Sequence, residues 1–125
     1  MEKAKSLYRR RGLISNVSDA LKYIALQIES KDPYISSAHE VCKESEQKNS
    51  NHLMCIGWHT YKRSNQLWHV GGVGTFRTSL ILNKHHRLGV AVLGNAKGIS
   101  SANAHYIAKM LYSELKCNRI RLTER

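Results

Sequence analysis

Nowhere does the chain carry an apolar run approaching the roughly 20 residues that cross a bilayer. Its start, MEKAKSLYRRRG, has charge with no apolar stretch behind it. The sequence therefore predicts neither a membrane span nor a secretory leader, and as written it reads as cytoplasmic. Cysteine is also scarce. Cys42, Cys55 and Cys117 are too few and too far apart for a zinc knuckle or a Cys-x-x-Cys pair, and an odd count argues against a complete disulfide framework. Reduced, partly buried thiols are the expectation. Seven histidines are present, but no His-x-x-x-His pair lies on a predicted helix. His52, His59 and His69 are too widely spaced for a local ligand set, and His85 with His86 reads as a turn. No metal and no cofactor are expected.

A phosphate loop is missing as well. The glycines of LWHVGGVGTF, residues 67–76, lack a Gly-Lys-Ser/Thr ending and the spacing of a dinucleotide fingerprint. They lead into a strand pattern, whereas a phosphate is held where glycines lead into a helix N-terminus. What is present is 125 residues, 42% of them hydrophobic, enough for one domain with a modest core. The net charge of +11 is concentrated at the ends, with +4 in residues 1–11 and +3 in residues 116–125. No RNA-recognition aromatics or zinc-finger spacing accompany it, so nucleic-acid binding is not favoured.

The periodicity predicts an order of elements. Asn16 followed by Asp19 resembles a capping box, and Val17, Leu21, Ile24 and Ile28 recur at helical spacing. Asp32-Pro33 opens a second, weaker helix, and ESEQKNSN reads as a loop. HLMCIGWHTY and QLWHVGG have strand composition. TFRTSLILN alternates, with Phe76, Thr78, Leu80 and Leu82 on one side and Thr75, Arg77, Ser79 and Ile81 on the other. LGVAVLGN is a nearly continuous apolar run, as expected of a central strand covered on both faces. SSANAHYIAKMLYSEL places Ala104, Ile107, Ala108, Leu111 and Leu115 on one stripe behind a serine cap. The expected fold class is α+β, an antiparallel sheet of about three strands covered by helices. Its expected divisions are a basic lead at 1–11, a domain at 12–115 and a basic tail at 116–125.

Three stretches in order resemble the serine β-lactamase and penicillin-binding-protein superfamily, in its class C, D-alanyl-D-alanine carboxypeptidase and esterase branch. GLISNVSDALKYI looks like its Gly-Leu-x-Ser segment with an Asp four residues on. CIGWHTY looks like its Gly-Trp strand, and WHVGGVGTFRTSLILNKHHRLGVAVLGNAKG looks like the strand of its third motif followed by two antiparallel strands. The resemblance covers about residues 12–115 but only the C-terminal third or so of a family enzyme. It implies the C-terminal part of a β-lactamase/transpeptidase-like fold in a usually periplasmic or extracytoplasmic family.

In that family a serine, helped by a lysine three residues later, attacks an activated carbonyl of a β-lactam, D-alanyl peptide or ester. The resemblance implies that His69 takes the first position of the His-x-Gly motif as relay or substrate contact. Gly72 would be an oxyanion donor, and Val70, Gly71 and Thr75 would lie against a small-molecule or peptidoglycan-type substrate. Val70 departs from the usual hydroxyl residue, which shifts the expectation from peptide and β-lactam toward ester. SEQK, Ser45 to Lys48, matches Ser-x-x-Lys by letters but lies in a polar stretch after the Gly-Leu-x-Ser helix and reads as chance. One cleft wall without its nucleophile is therefore expected, inactive alone. It would join an N-terminal half or self-associate, because LGVAVLGN would have an unpaired edge. The alternative is a non-enzymatic basic module that binds an acidic partner.

Overall fold

In the computed structural model, which describes residues 13–45, 51–98 and 100–123, helices and strands follow in a simple order. They are α1 (Val17–Glu29), α2 (Pro33–Glu40), β1 (Lys43–Glu44), β2 (His52–Met54), β3 (His59–Tyr61), β4 (Gln66–Val73), β5 (Phe76–Asn83), β6 (Leu88–Asn95) and α3 (Ser101–Thr123). The basic lead at 1–11 and residues 46–50, which include Lys48 of the SEQK match, lie outside the described residues. No described helix is long and apolar enough to cross a membrane.

Local chemistry sets the helix starts. Asn16 Oδ1 accepts the Asp19 N–H at 3.0 Å, and its amide donates to the Asp19 carboxylate, also at 3.0 Å. Asp32 accepts the Tyr34 N–H at 2.8 Å while Pro33 takes the first helical position, where a missing N–H costs nothing. Ser100 and Asn103 cap α3 reciprocally, through Ser100 N–H to Asn103 Oδ1 and Asn103 N–H to Ser100 Oγ. That helix runs through Thr123, past the Leu115 at which the sequence places its end.

All six strands form one antiparallel sheet in sequential order, β1-β2-β3-β4-β5-β6. The three long strands are the ones that the hydrophobic pattern marks. Beyond them, HLMCIGWHTY does not form one strand. Gly57, at φ 77, turns the chain between β2 and β3, and the Cys55 N–H donates to the Trp58 carbonyl across the turn. The Gly-Trp pair therefore sits at a hairpin tip, where Trp58 is buried in the core. Gly74 and Thr75 form the two-residue loop between β4 and β5, with Gly74 at φ 57, as a primed hairpin turn requires at its first central position.

Both faces of the sheet are covered. On one, Leu67 and Leu82 pack with Ile24 of α1 and Trp58, flanked by Leu80 and Ala91. On the other, Ile81 and Val90 pack with Ala108 and Tyr112 of α3, flanked by Trp68 and Val92. The alternation of β5 is thus realised as read, with Leu80 and Leu82 toward α1 and Ser79 and Ile81 toward α3. The helix stripes are only half buried. Ala104, Ala108 and Tyr112 are buried, whereas Ile107, Leu111 and Leu115 are exposed. On α1, Ile24 is buried while Val17 and Leu21 are exposed.

Two further contacts tie the periphery. Cys42 and Cys55 form a disulfide, correcting the expectation of reduced thiols, and Cys117 is free and exposed. The spacing of 13 residues says little about proximity, because β1 folds back on β2 and pairs Lys43 with Met54, which brings their neighbours together. At the opposite end, Arg119 of α3 donates from Nη1 to the carbonyls of His86 and Arg87 in the β5–β6 turn.

Candidate functional site

β4 carries the residues singled out by the sequence, and its two edges differ. Along β5 it is paired at every position from Gln66 to Val73. Its outer edge meets β3 only where Trp68 faces His59, so among the described residues no strand pairs with that edge from His69 to Val73. His69 is exposed at the start of this open segment, with its ring centroid 5.8 Å from that of His59. Val70 is half-buried and pairs with Ser79.

The two glycines are shaped by the chain itself. A Cβ on Gly71 would stand 2.8 Å from Thr78 Oγ1, and one on Gly72 would stand 2.9 Å from Ser101 Oγ. Ser101 also donates to the Gly71 carbonyl at 3.2 Å, seating the start of α3 against β4. Close approach of the helix start and β5 is therefore a sufficient reason for glycine here. Thr75 lies elsewhere, in the hairpin loop, where its hydroxyl donates to Asn95 Oδ1. The structure brings His69, Val70, Gly71 and Gly72 together along one edge. It sets Thr75 beyond the end of that strand, in the β4–β5 turn.

The sequence reading missed a cluster of imidazoles beside this edge. His52 and His59, seven residues apart, are brought to 3.0 Å between Nε2 and Nδ1 by the β2–β3 hairpin. Their rings stack with Trp68, which also packs 4.6 Å from His105 of α3. Spacing along the chain failed as a guide because strand register sets these distances: His52 pairs with Tyr61 and His59 with Trp68. The alternation that puts His59 and Tyr61 on one face was the available signal.

Burial lowers the pKa of His59, and His52 and His69 lower it further. Burial also lowers that of His105, with Lys109 and His59 adding to the effect. Among the described residues no group of three or more His, Cys, Asp or Glu is arranged to hold a metal ion.

A serine and a histidine do meet in this structure, though not in a cleft. Ser79 Oγ lies 3.0 Å from His105 Nδ1, the pairing used to activate a nucleophile. Ser79 is 0% exposed under α3, so no substrate reaches it, and the pair serves to satisfy a buried hydroxyl. Comparison with family models, with curated proteins and with solved structures returns no match.

Proposed function

We propose that the chain is the C-terminal portion of a serine hydrolase of the class C β-lactamase, D-alanyl-D-alanine carboxypeptidase and esterase type, supplying one wall of its cleft. The open edge of β4 from His69 to Val73 carries this reading. An extended substrate laid there meets backbone groups with no strand partner, with His69 exposed at one end. The order of elements supports it too: a capped helix beginning after Gly-Leu-x-Ser, a Gly-Trp turn, then three long antiparallel strands and a closing helix.

In this reading His69 contacts the substrate or relays its proton, and the N–H of Gly72 meets the developing oxyanion. One such donor contributes on the order of 3 kcal/mol to the transition state. Among the described residues no Ser-x-x-Lys opens a helix, and Ser113 with Lys116, which match by letters, lie midway along α3. Ser79 is sealed, and Ser45 precedes the β1–β2 connection rather than a helix start. Val70 offers no hydroxyl for a substrate carboxylate, which favours an ester over a D-alanyl peptide.

Alone, the chain is expected to leave a nitrophenyl ester intact and to take no label from a fluorescent penicillin. Mixed with an N-terminal hydrolase portion that bears Ser-x-x-Lys and Tyr-x-Asn, it should support ester hydrolysis that falls at least tenfold with His69→Ala. Hydrolysis by the chain alone, or hydrolysis in the mixture that ignores His69→Ala, overturns the assignment.

A further inference from the structure

The far side of the sheet carries a second open edge of a different character. β6 pairs with β5 along all of Leu88–Asn95 and, among the described residues, with nothing on its outer side. Its sequence, LGVAVLGN, holds none of the charges or prolines that blunt exposed edges.

On each face the neighbouring helix leaves apolar side chains uncovered beside that edge. In α3, His105 reaches toward β4 through Trp68. Ile107 and Leu111, each 46% exposed, therefore lie on the opposite flank, over β6. In α1, Tyr23 turns toward Trp58, so Leu21 and Ala25 lie on the β6 side. A cavity of about 260 Å³ opens there, with Leu21, Ile24, Ala25, Ile28 and Gly89 on its apolar side and Glu29, Arg87 and Arg119 charged along its rim.

We propose that this ledge is a two-fold interface in which β6 of a second copy pairs antiparallel with β6, making one continuous sheet through both copies. The geometry favours a copy of the same chain. A two-fold axis through Ala91 keeps each face in phase: Val90 meets Val92 of the second copy, and Gly89 meets its Leu93. α3 starts against β4, where Ser101 meets Gly71, and passes onto β5 and β6; where it lies between those two strands its axis sits about half a strand spacing inside the edge. With strands about 4.8 Å apart, the two α3 helices come to lie about 10 Å apart. That is the distance at which helices pack, and it places Ile107 and Leu111 of both copies across the seam.

The contact is about 26 Å long and three layers thick, at about 10 Å per layer. Its cross-section is on the order of the ~800 Å² per partner that a stable interface buries. The proposal uses neither His69 nor the β4 edge, but it occupies the same β6 edge that an N-terminal hydrolase portion would join, so the dimer and that portion would compete for it.

The net charge of +11 opposes self-association, so added salt tightens a pairing driven by strand and apolar contacts, whereas it weakens capture of an acidic partner. Sedimentation equilibrium of the full chain is expected to show a reversible dimer that salt strengthens. Ile107→Lys combined with Leu111→Lys should raise its dissociation constant at least tenfold with an unchanged circular dichroism spectrum. Leu21→Lys, on the other face, is an independent second variant with the same expected effect. Hydrogen exchange should show the outward amides of β6 protected only at concentrations where the dimer forms. A monomer at every concentration, a dimer indifferent to both sets of variants, or β6 protection that appears only when a different chain is added would each overturn the proposal.

Discussion

A Cβ on Gly89 would overlap Cγ2 of Ile24, so α1 rests directly on the backbone of β6 at that point. Gly89→Ala is expected to cost about 1–3 kcal/mol, as overpacking of a tight contact does, with urea denaturation as the measurement. The histidines make a second residue-scale statement. His39, His59 and His105 all have lowered pKa values, burial being the largest cause in each case. His39 is held neutral beside Gln27, whose Oε1 lies 2.8 Å from its Nε2. Lys84 disfavours its charged form, and Glu40 partly offsets that. The folded chain therefore binds fewer protons than the unfolded one between the lowered values and the ordinary histidine pKa of about 6.5. Stability is full above that ordinary value and is lost as pH falls below it. Thermal melts at pH 7.5 and pH 5 should differ accordingly, and His59→Gln with His105→Gln should flatten the difference. A profile equally steep in that double variant would contradict the assignment. These roles were invisible in sequence, where a histidine in a strand carries no mark of what the next strand places beside it.

Elements were legible in proportion to how strongly their own residues specify them. Asn16 and Asp32 announced helix starts because caps are local, and the alternation of β5 announced its two faces because both are buried. β2 and β3 were not resolved within HLMCIGWHTY, nor β1 ahead of it, because strands of two or three residues have no period to read, and the pairing of β2 with β3 depends on the turn at Gly57. The Cys42–Cys55 bond belongs with them. It closes a loop of 13 residues at the end of α2, and removing a crosslink of that size costs about 3 kcal/mol. Cys42→Ser, or reductant added to the native chain, should lower the melting temperature. An unchanged melt would show that the hairpin is held by its strands alone. Asn16→Ala, by comparison, should cost only about 1 kcal/mol, because the cap is exposed and its loss leaves water as a substitute partner.

At the scale of the molecule, the sequence conveyed an α+β sheet with helices over it, but not which stripes would stay bare. The pattern of α3 could not separate Ile107 and Leu111 from Ala104 and Ala108, since that division depends on where the sheet stops. Charge acts at this scale as well. Among the described residues the ion pairs are Lys22–Asp19, Lys62–Glu44 and Arg87–Glu29, all solvent-exposed, and pairs of this kind contribute little each. General repulsion should therefore dominate the salt response, and the melting temperature should rise by a few degrees between low salt and about 0.5 M, where the screening length shrinks to a few ångströms. A falling melting temperature would indicate that the ion pairs matter more than the excess charge.

The Arg119 contact has its own consequence at this scale. Arg87 holds φ 48, a left-handed backbone that costs a side chain-bearing residue about 1 kcal/mol, and the carbonyl that follows from that geometry is one of the two that Arg119 grips. The end of the chain thus acts as a latch on a turn more than 30 residues earlier. A protease that trims the last turns of α3 would expose the β5–β6 connection to a second cut, so digestion should proceed in that order and not the reverse.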